Sequence, residues 1–197
     1  MRISLTRRNV LFAGVGAMLT VFVPVANAVP VGISGFKKHA RKQLTPVWCW
    51  AAVIQTLLDY RGIEWSQPEI VAAMKGHVTI ETANDYEMSA FLNSWGFTHA
   101  GIPWQSSAKF SKGSPSPELT VAELRDKRPI ILKLHLSPDM DHVVVAYVAN
   151  VLDGPGQRDE LNSVYYIDPA DGDIHILAGK DYVSTVVGYW LVNIQRA

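Results

Sequence analysis

The sequence contains one cysteine, Cys49, within the segment QLTPVWCWAAVIQTLLDYRG. This segment predicts a loop followed by a helix, with the thiol in the first helical turn. A thiolate at that position is stabilised by the helix dipole, which is one way to make a thiol nucleophilic. As the only cysteine, Cys49 cannot form an internal disulfide. The alternative to a nucleophile is that Cys49 is simply a small buried hydrophobic residue. We interpret Cys49 as a candidate nucleophile that needs a base elsewhere in the chain.

The best candidate base is His142, which opens the apolar run HVVVAYVANV directly after a polar turn. A base must also be held in one tautomer by a third group. Asp168 ends another strand-like run, SVYYID, just before Pro169. If these two strands pair antiparallel, Asp168 can lie beside His142. The sequence therefore predicts a set of nucleophile, base and orienting acid: Cys49, His142 and Asp168.

Other assignments stay open at this point. His135 lies inside a neighbouring strand-like run and is an alternative base, while Asp171 and Asp173 are alternative orienting acids. Asp168 can also simply open a turn, since Asp-Pro is a common turn dipeptide. A metal site is disfavoured, because no pair of His or Cys has ligand spacing and one cysteine cannot build a zinc cage. We expect no cofactor.

Four helices are predicted in the first two thirds of the chain. Apolar residues at helical spacing predict a helix from about Trp48 to Arg61, and the Ser66/Glu69 pair is a capping box for a second helix that Gly76 ends. A third helix is predicted from Asn84 or Asp85 to Gly96. The last is a short helix, TVAELRDK, that Pro129 terminates.

After Pro129 the pattern changes to β-branched and aromatic runs separated by turn residues. Strands are predicted at 130–136, 142–151, 163–168, 173–177 and 186–194. Residues 29–46 are predicted to be an irregular arm, and 101–118 a surface loop. The fold class is therefore α+β, with N-terminal helices packed against a C-terminal antiparallel sheet.

The first 28 residues have the layout of a secretory signal peptide: a basic start, an apolar middle and the small-x-small sequence Ala26-Asn27-Ala28. The stretch around Arg7 and Arg8 also resembles a twin-arginine export signal. An uncleaved N-terminal anchor is the alternative. We expect an exported protein, periplasmic or secreted, with residues 29–197 forming a single domain.

Charge limits the partners of that domain. The whole chain has 18 basic and 18 acidic residues, and removing the three arginines of the predicted signal leaves a net charge of −3. A mildly acidic surface argues against nucleic acid and against anionic membranes as partners. We expect no stable membrane insertion after signal removal, and the oligomeric state stays open.

The cysteine segment resembles the papain-like cysteine peptidases, in which a glutamine six positions before the nucleophile donates to the oxyanion. Gln43 has that spacing from Cys49, and the Trp-Cys-Trp-Ala-Ala form is similar to the avirulence peptidase effectors of plant pathogens. The later pattern, from His142-Val-Val-Val to Ile-Asp168-Pro169, is similar to bacteriocin-leader peptidase domains. The resemblance covers roughly residues 40–195. It implies a thiol protease acting on polypeptides, with Gln43 as oxyanion donor, Cys49 as nucleophile, His142 as base and Asp168 as orienting acid.

The chain also departs from these relatives. Only 93 residues separate Cys49 from His142, against about 130–150 in plant and lysosomal papain relatives. Leader peptidases normally have Cys-Gly where this chain has Cys49-Trp50. Two alternative functions stay open: a transglutaminase-like enzyme or cell-wall amide acyltransferase or amidase with the same triad, and an inactive peptide-binding module.

Overall fold

The structure is a computed structural model that describes residues 27–93, 95–137, 140–153 and 160–197. The described residues form five α-helices and a short 3₁₀ helix, Phe36–His39. The α-helices are α1 Cys49–Tyr60, α2 Gln67–Lys75, α3 Asp85–Leu92, α4 Pro117–Arg125 and α5 Gly179–Thr185. The strands are β1 Asn27–Gly32, β2 Trp95–His99, β3 Ile102–Lys112, β4 Ile130–Ser137, β5 Met140–Asp153, β6 Glu160–Asp168, β7 Asp173–Ala178 and β8 Val186–Arg196.

The strands form one antiparallel sheet in the order β2-β3-β8-β4-β5-β6-β7, and β1 pairs with β5 outside this order. The long strand β5 pairs with β4 through its first half and with β1 through its second half. The predicted α+β class and the antiparallel sheet are therefore confirmed.

Helices cover both faces of the sheet. On β4, Ile131 belongs to a core shared with α1, whereas Ile130 and Leu132 belong to a second core shared with α4 and Tyr182 of α5. Neighbouring strand residues point to opposite faces, so these are two separate layers. Burial on both faces explains why the runs that form β4 and β5 are almost continuously apolar.

The first two helices follow their sequence signals closely. α1 begins at Cys49, with Trp48 as its N-cap. In α2 the side chain of Ser66 accepts from the N–H of Glu69, and the Glu69 side chain reaches back to Ser66. Gly76 then ends the helix at φ 81°, in the left-handed region where glycine is favoured.

The predicted third helix is too long. In the structure α3 ends at Leu92, and Trp95 already belongs to β2. The loop predicted over 101–118 is also wrong, because β3 occupies Ile102–Lys112. This strand alternates buried Trp104 and Ser106 with exposed neighbours, so only one of its faces is packed and its composition resembles that of a loop.

The N-terminal arm is more ordered than its composition suggests. Residues 1–26, most of the predicted signal peptide, lie outside the described residues, and β1 begins at Asn27, two residues before the predicted mature N terminus. Its register with β5 runs from Asn27 opposite Asp153 to Gly32 opposite Val148. Among the described residues, no helix has both the length and the apolar character needed to cross a bilayer.

Candidate active site

Cys49 is the first residue of α1 and is half-buried. It lines a cleft of about 510 Å³ that lies between the start of α1, residues 82–88 around the start of α3, and residues 140–143 of β5. The first N–H groups of an α-helix have no partner within the helix, so they are free to bind negative charge beside the thiol.

Two tryptophans fix the start of this helix. Trp48 and Trp50 are buried on either side of Cys49. The indole Nε1–H of Trp48 donates to the carbonyl oxygen of Thr79 at 2.9 Å, which attaches the loop before α3 to the cysteine segment. Trp50 also borders the cleft. The rigid packing of both indoles holds the thiol at the cleft surface.

His142 comes from the start of β5 and lines the same cleft. Its Nε2 lies 2.7 Å from Oδ1 of Asp168, at the end of β6, and the two side chains are only 11% and 17% exposed. The same carboxylate oxygen accepts from the N–H of Ala170 at 2.8 Å. Because Nε2 faces Asp168, the other ring nitrogen, Nδ1, is the atom left for the thiol.

The electrostatics of this pair favour a protonated imidazole. Burial alone would lower the pKa of His142, but hydrogen bonds to Asp168 and to Cys49, together with the charges of both groups, raise it to about 9. Burial likewise works to raise the pKa of Asp168, but hydrogen bonds from His142 and from the N–H of Ala170 lower it overall. The structure therefore brings Cys49, His142 and Asp168 into one interacting set.

Gln43 precedes this set in the chain and is attached to it through its backbone. Its N–H donates to the carbonyl oxygen of Pro169, the residue after Asp168, at 2.7 Å. The side-chain Oε1 of Gln43 is buried and has no hydrogen-bond partner among the described residues. Gln43 and Asp168 stand outside the lining of the cleft, whereas Cys49 and His142 form part of it.

The alternative acids and base are engaged elsewhere. His135 pairs with Asp141 at 3.0 Å, Asp171 with His175 at 2.8 Å, and Asp173 with Lys37 at 2.8 Å. All six side chains are more than two fifths exposed, in contrast to the mostly covered side chains of His142 and Asp168.

The sequence analysis missed an ion-pair cluster in the cleft. Lys133 of β4 lies 2.9 Å from a carboxylate oxygen of Asp85 on α3 and 2.9 Å from one of Asp141 on β5. Burial disfavours the charged lysine, but the hydrogen bonds to the two carboxylates raise its pKa overall. The cluster links the helical wall of the cleft to the strand that carries His142. A charged residue inside the apolar run IILKLHL was the signal that could have indicated it.

Comparisons with known proteins agree on one class. The fold is similar to the crystal structure of the peptidase domain of Streptococcus ComA, a bifunctional ABC transporter involved in a quorum-sensing pathway. The TM-score is 0.52 at 13% identity, over 77% of this chain and 95% of that domain. None of the curated proteins is significantly similar in sequence.

Residues 36–186, more than half of the chain, match the family model described as papain-like cysteine protease AvrRpt2. The fold and this match show that the protein is a papain-like cysteine peptidase. Within that class, the chain belongs to the family of the AvrRpt2 protease. The resemblance stated from the sequence is confirmed, and as a peptidase the protein acts on a polypeptide substrate.

Proposed function

We propose that this peptidase hydrolyses peptide bonds through a thioester on Cys49, with His142 as general base and acid and Asp168 as the orienting carboxylate. The observation that carries the proposal is that one imidazole, only 11% exposed, lies 2.7 Å from a carboxylate and lines the same cleft as Cys49. Such a chain of nucleophile, base and orienting group is the arrangement that activates a weak nucleophile.

In the first step, the proton of the Cys49 thiol passes to Nδ1 of His142, and the sulfur attacks the scissile carbonyl carbon. Asp168 accepts a hydrogen bond from Nε2, which stabilises the imidazolium and fixes the ring. When the tetrahedral intermediate collapses, the C–N bond breaks and the imidazolium protonates the leaving amine. The acyl group remains on sulfur as a thioester.

In the second step, His142 removes a proton from water, and the resulting hydroxide equivalent attacks the thioester. The C–S bond breaks, the acid product leaves, and the proton returns to the thiolate. A transglutaminase-like enzyme would use an amine instead of water here. The two outcomes differ only in the acceptor, so product analysis distinguishes them.

The oxyanion of both tetrahedral intermediates needs hydrogen-bond donors. We assign this role to the N–H of Cys49, at the start of α1, and to the side-chain amide of Gln43. The Oε1 atom of the Gln43 amide accepts no hydrogen bond from the described residues, and the backbone N–H of Gln43 donates to the carbonyl oxygen of Pro169, next to Asp168. A donor of this kind contributes roughly 3 kcal/mol to lowering the barrier.

The test is to profile the mature chain, residues 29–197, against a peptide library with the Cys49→Ala variant as a matched blank. The thiol is half-buried and makes no disulfide, so the variant should fold like the wild type. We expect cleavage by the wild type only, with water incorporated into the new carboxylate. Equal cleavage by Cys49→Ala would contradict the proposal, and exclusive amide products with an added amine would replace it with acyl transfer.

We also propose that the protein is exported and that cleavage follows Ala28. The basic, apolar and small-x-small layout of residues 1–28 supports this. Expression of the full chain in a bacterial host should yield an exported form whose N-terminal sequence begins at Val29. A full-length chain retained in the cytoplasm, with Met1 still present, would contradict the proposal.

A further inference from the structure

A second glutamine, Gln67, is almost completely buried directly beside the backbone of Gln43. Gln67 is the first residue of α2, and only 2% of it is exposed. Its Oε1 accepts from the N–H of Leu44 at 2.9 Å, and its Nε2 donates to the carbonyl oxygen of Lys42 at 2.8 Å. The amide therefore bonds to the residues on either side of Gln43.

This pattern restrains Gln43 itself. The carbonyl of Lys42 belongs to the peptide plane before the Cα of Gln43, and the N–H of Leu44 belongs to the plane after it. The relative orientation of those two planes is set by φ and ψ of Gln43. Bonds from one rigid amide to both planes therefore fix the direction in which the Gln43 side chain leaves the backbone.

Two further bonds complete the arrangement. The N–H of Gln43 donates to the carbonyl oxygen of Pro169, so the first plane is also attached to the turn after Asp168. The Nε2 of Gln67 also donates to Oε1 of Gln55 on α1 at 3.0 Å. Gln67 thus connects α1 and α2 with the segment that carries Gln43.

Packing alone would not hold this segment. Lys42 and Leu44 are both exposed, and Leu44 is 66% exposed. A short irregular segment with few buried apolar contacts opens easily unless its backbone groups are bonded. The oxyanion donor must lie within a few tenths of an ångström of its productive position, so this restraint has a direct chemical consequence.

We propose that Gln67 is a positioning residue, which acts on catalysis by holding Gln43 in the geometry that binds the oxyanion. The inference rests on the proposed function, because it assumes that Gln43 is the oxyanion donor. It predicts a specific defect: loss of Gln67 slows reactions of Cys49 that pass through a tetrahedral oxyanion and spares those that do not.

Two small probes separate these reactions without knowledge of the peptide substrate. Acylation of Cys49 by p-nitrophenyl acetate passes through a tetrahedral oxyanion and releases p-nitrophenolate. Alkylation by iodoacetamide is a direct displacement at carbon and forms no oxyanion. Gln67→Leu should lower the acylation rate at least tenfold and change the alkylation rate by less than twofold from pH 5 to 9.

Two more variants keep the test informative. Gln67→Glu keeps the acceptor for Leu44 but loses the donor to Lys42, so its acylation rate should lie between the wild type and Gln67→Leu. Ser106→Ala removes another buried hydrogen bond, from Ser106 Oγ to the carbonyl of Leu92, in which neither Gln43 nor Gln67 takes part. It serves as the matched control and should leave both rates unchanged.

The decisive comparison is a double-mutant cycle with Gln43→Leu. If Gln67 acts through Gln43, adding Gln67→Leu to Gln43→Leu should slow acylation no further. A merely structural role would give the same additional loss in both backgrounds and would overturn the inference, as would wild-type acylation by both Gln67 variants. Failure of the proposed function looks different: the wild type itself would then show no Cys49-dependent acylation.

Discussion

The Nε2 atom of His142 lies 2.7 Å from Oδ1 of Asp168, although 26 residues separate the two side chains in sequence. Antiparallel pairing of β5 with β6 causes this proximity, with Val145 opposite Ile167 at the nearest register position. Backbone ladder hydrogen bonds, rather than a flexible loop, therefore set the distance between the imidazole and the carboxylate. A site built on two adjacent strands is rigid before substrate arrives.

The charge of Asp168 should control the alkaline limb of the pH–activity profile. Burial works to lower the pKa of His142, but hydrogen bonding and charge from Asp168 help to raise it to about 9, so the imidazolium that we propose as the acid for the leaving amine is lost as pH rises through that value. Asp168→Asn keeps an acceptor oxygen but removes the charge, which lowers the pKa of His142. The fall in kcat/KM should then occur at lower pH, measured with a peptide that the wild type cleaves.

Asp171→Asn is the matched control for that experiment. This carboxylate lies three residues from Asp168 but pairs with the exposed His175. Removing the charge of Asp171 should leave the pH at which kcat/KM falls unchanged. An alkaline limb that does not move in Asp168→Asn would show that this carboxylate does not tune the base.

Lys133 should stabilise the protein by bridging the two walls of the cleft. Lys133→Met keeps much of the apolar stem but leaves the carboxylates of Asp85 and Asp141 without their common cation. Both carboxylates are more than a third exposed, so we expect the free energy of unfolding to fall by about 1 kcal/mol. Breaking a fully buried ion pair would cost several kcal/mol. Urea denaturation measures it.

An exposed lysine on β3, Lys109, provides the comparison. Lys109→Met should leave the urea midpoint within error of the wild type. If Lys133→Met also unfolds at the wild-type midpoint, the three-residue cluster contributes nothing measurable to stability.

The elements with strong local signals were predictable from sequence. α2 is defined by the reciprocal bonds of Ser66 and Glu69, and α1 by a continuous apolar face. Among the strands after Pro129, β4 and β5 have consecutive buried residues, so their apolar composition identified them as strands. The assumption that two consecutive strands pair antiparallel was enough to predict that Asp168 lies beside His142.

What sequence did not indicate depends on contacts between distant segments. β3 has one open face, so its serines and lysines resemble a loop until its pairing with β8 is known. A glutamine at the start of a helix, such as Gln67, is ordinarily exposed, and nothing local shows that it meets the backbone around Gln43. Lys133 is half-buried at a place where Asp85 and Asp141 converge on it from two other elements.

The most direct test of the account is the rate of Cys49 alkylation by iodoacetamide, measured from pH 4 to 10 in the wild type and in His142→Ala. Because the pKa of His142 is raised to about 9, its imidazole is protonated at pH 6 and can pair with a thiolate there, so the wild type should be alkylated faster than His142→Ala at that pH. His142→Ala should also lose about 10²–10⁴-fold in peptide hydrolysis. Equal alkylation rates for the two proteins at every pH would contradict the central claim.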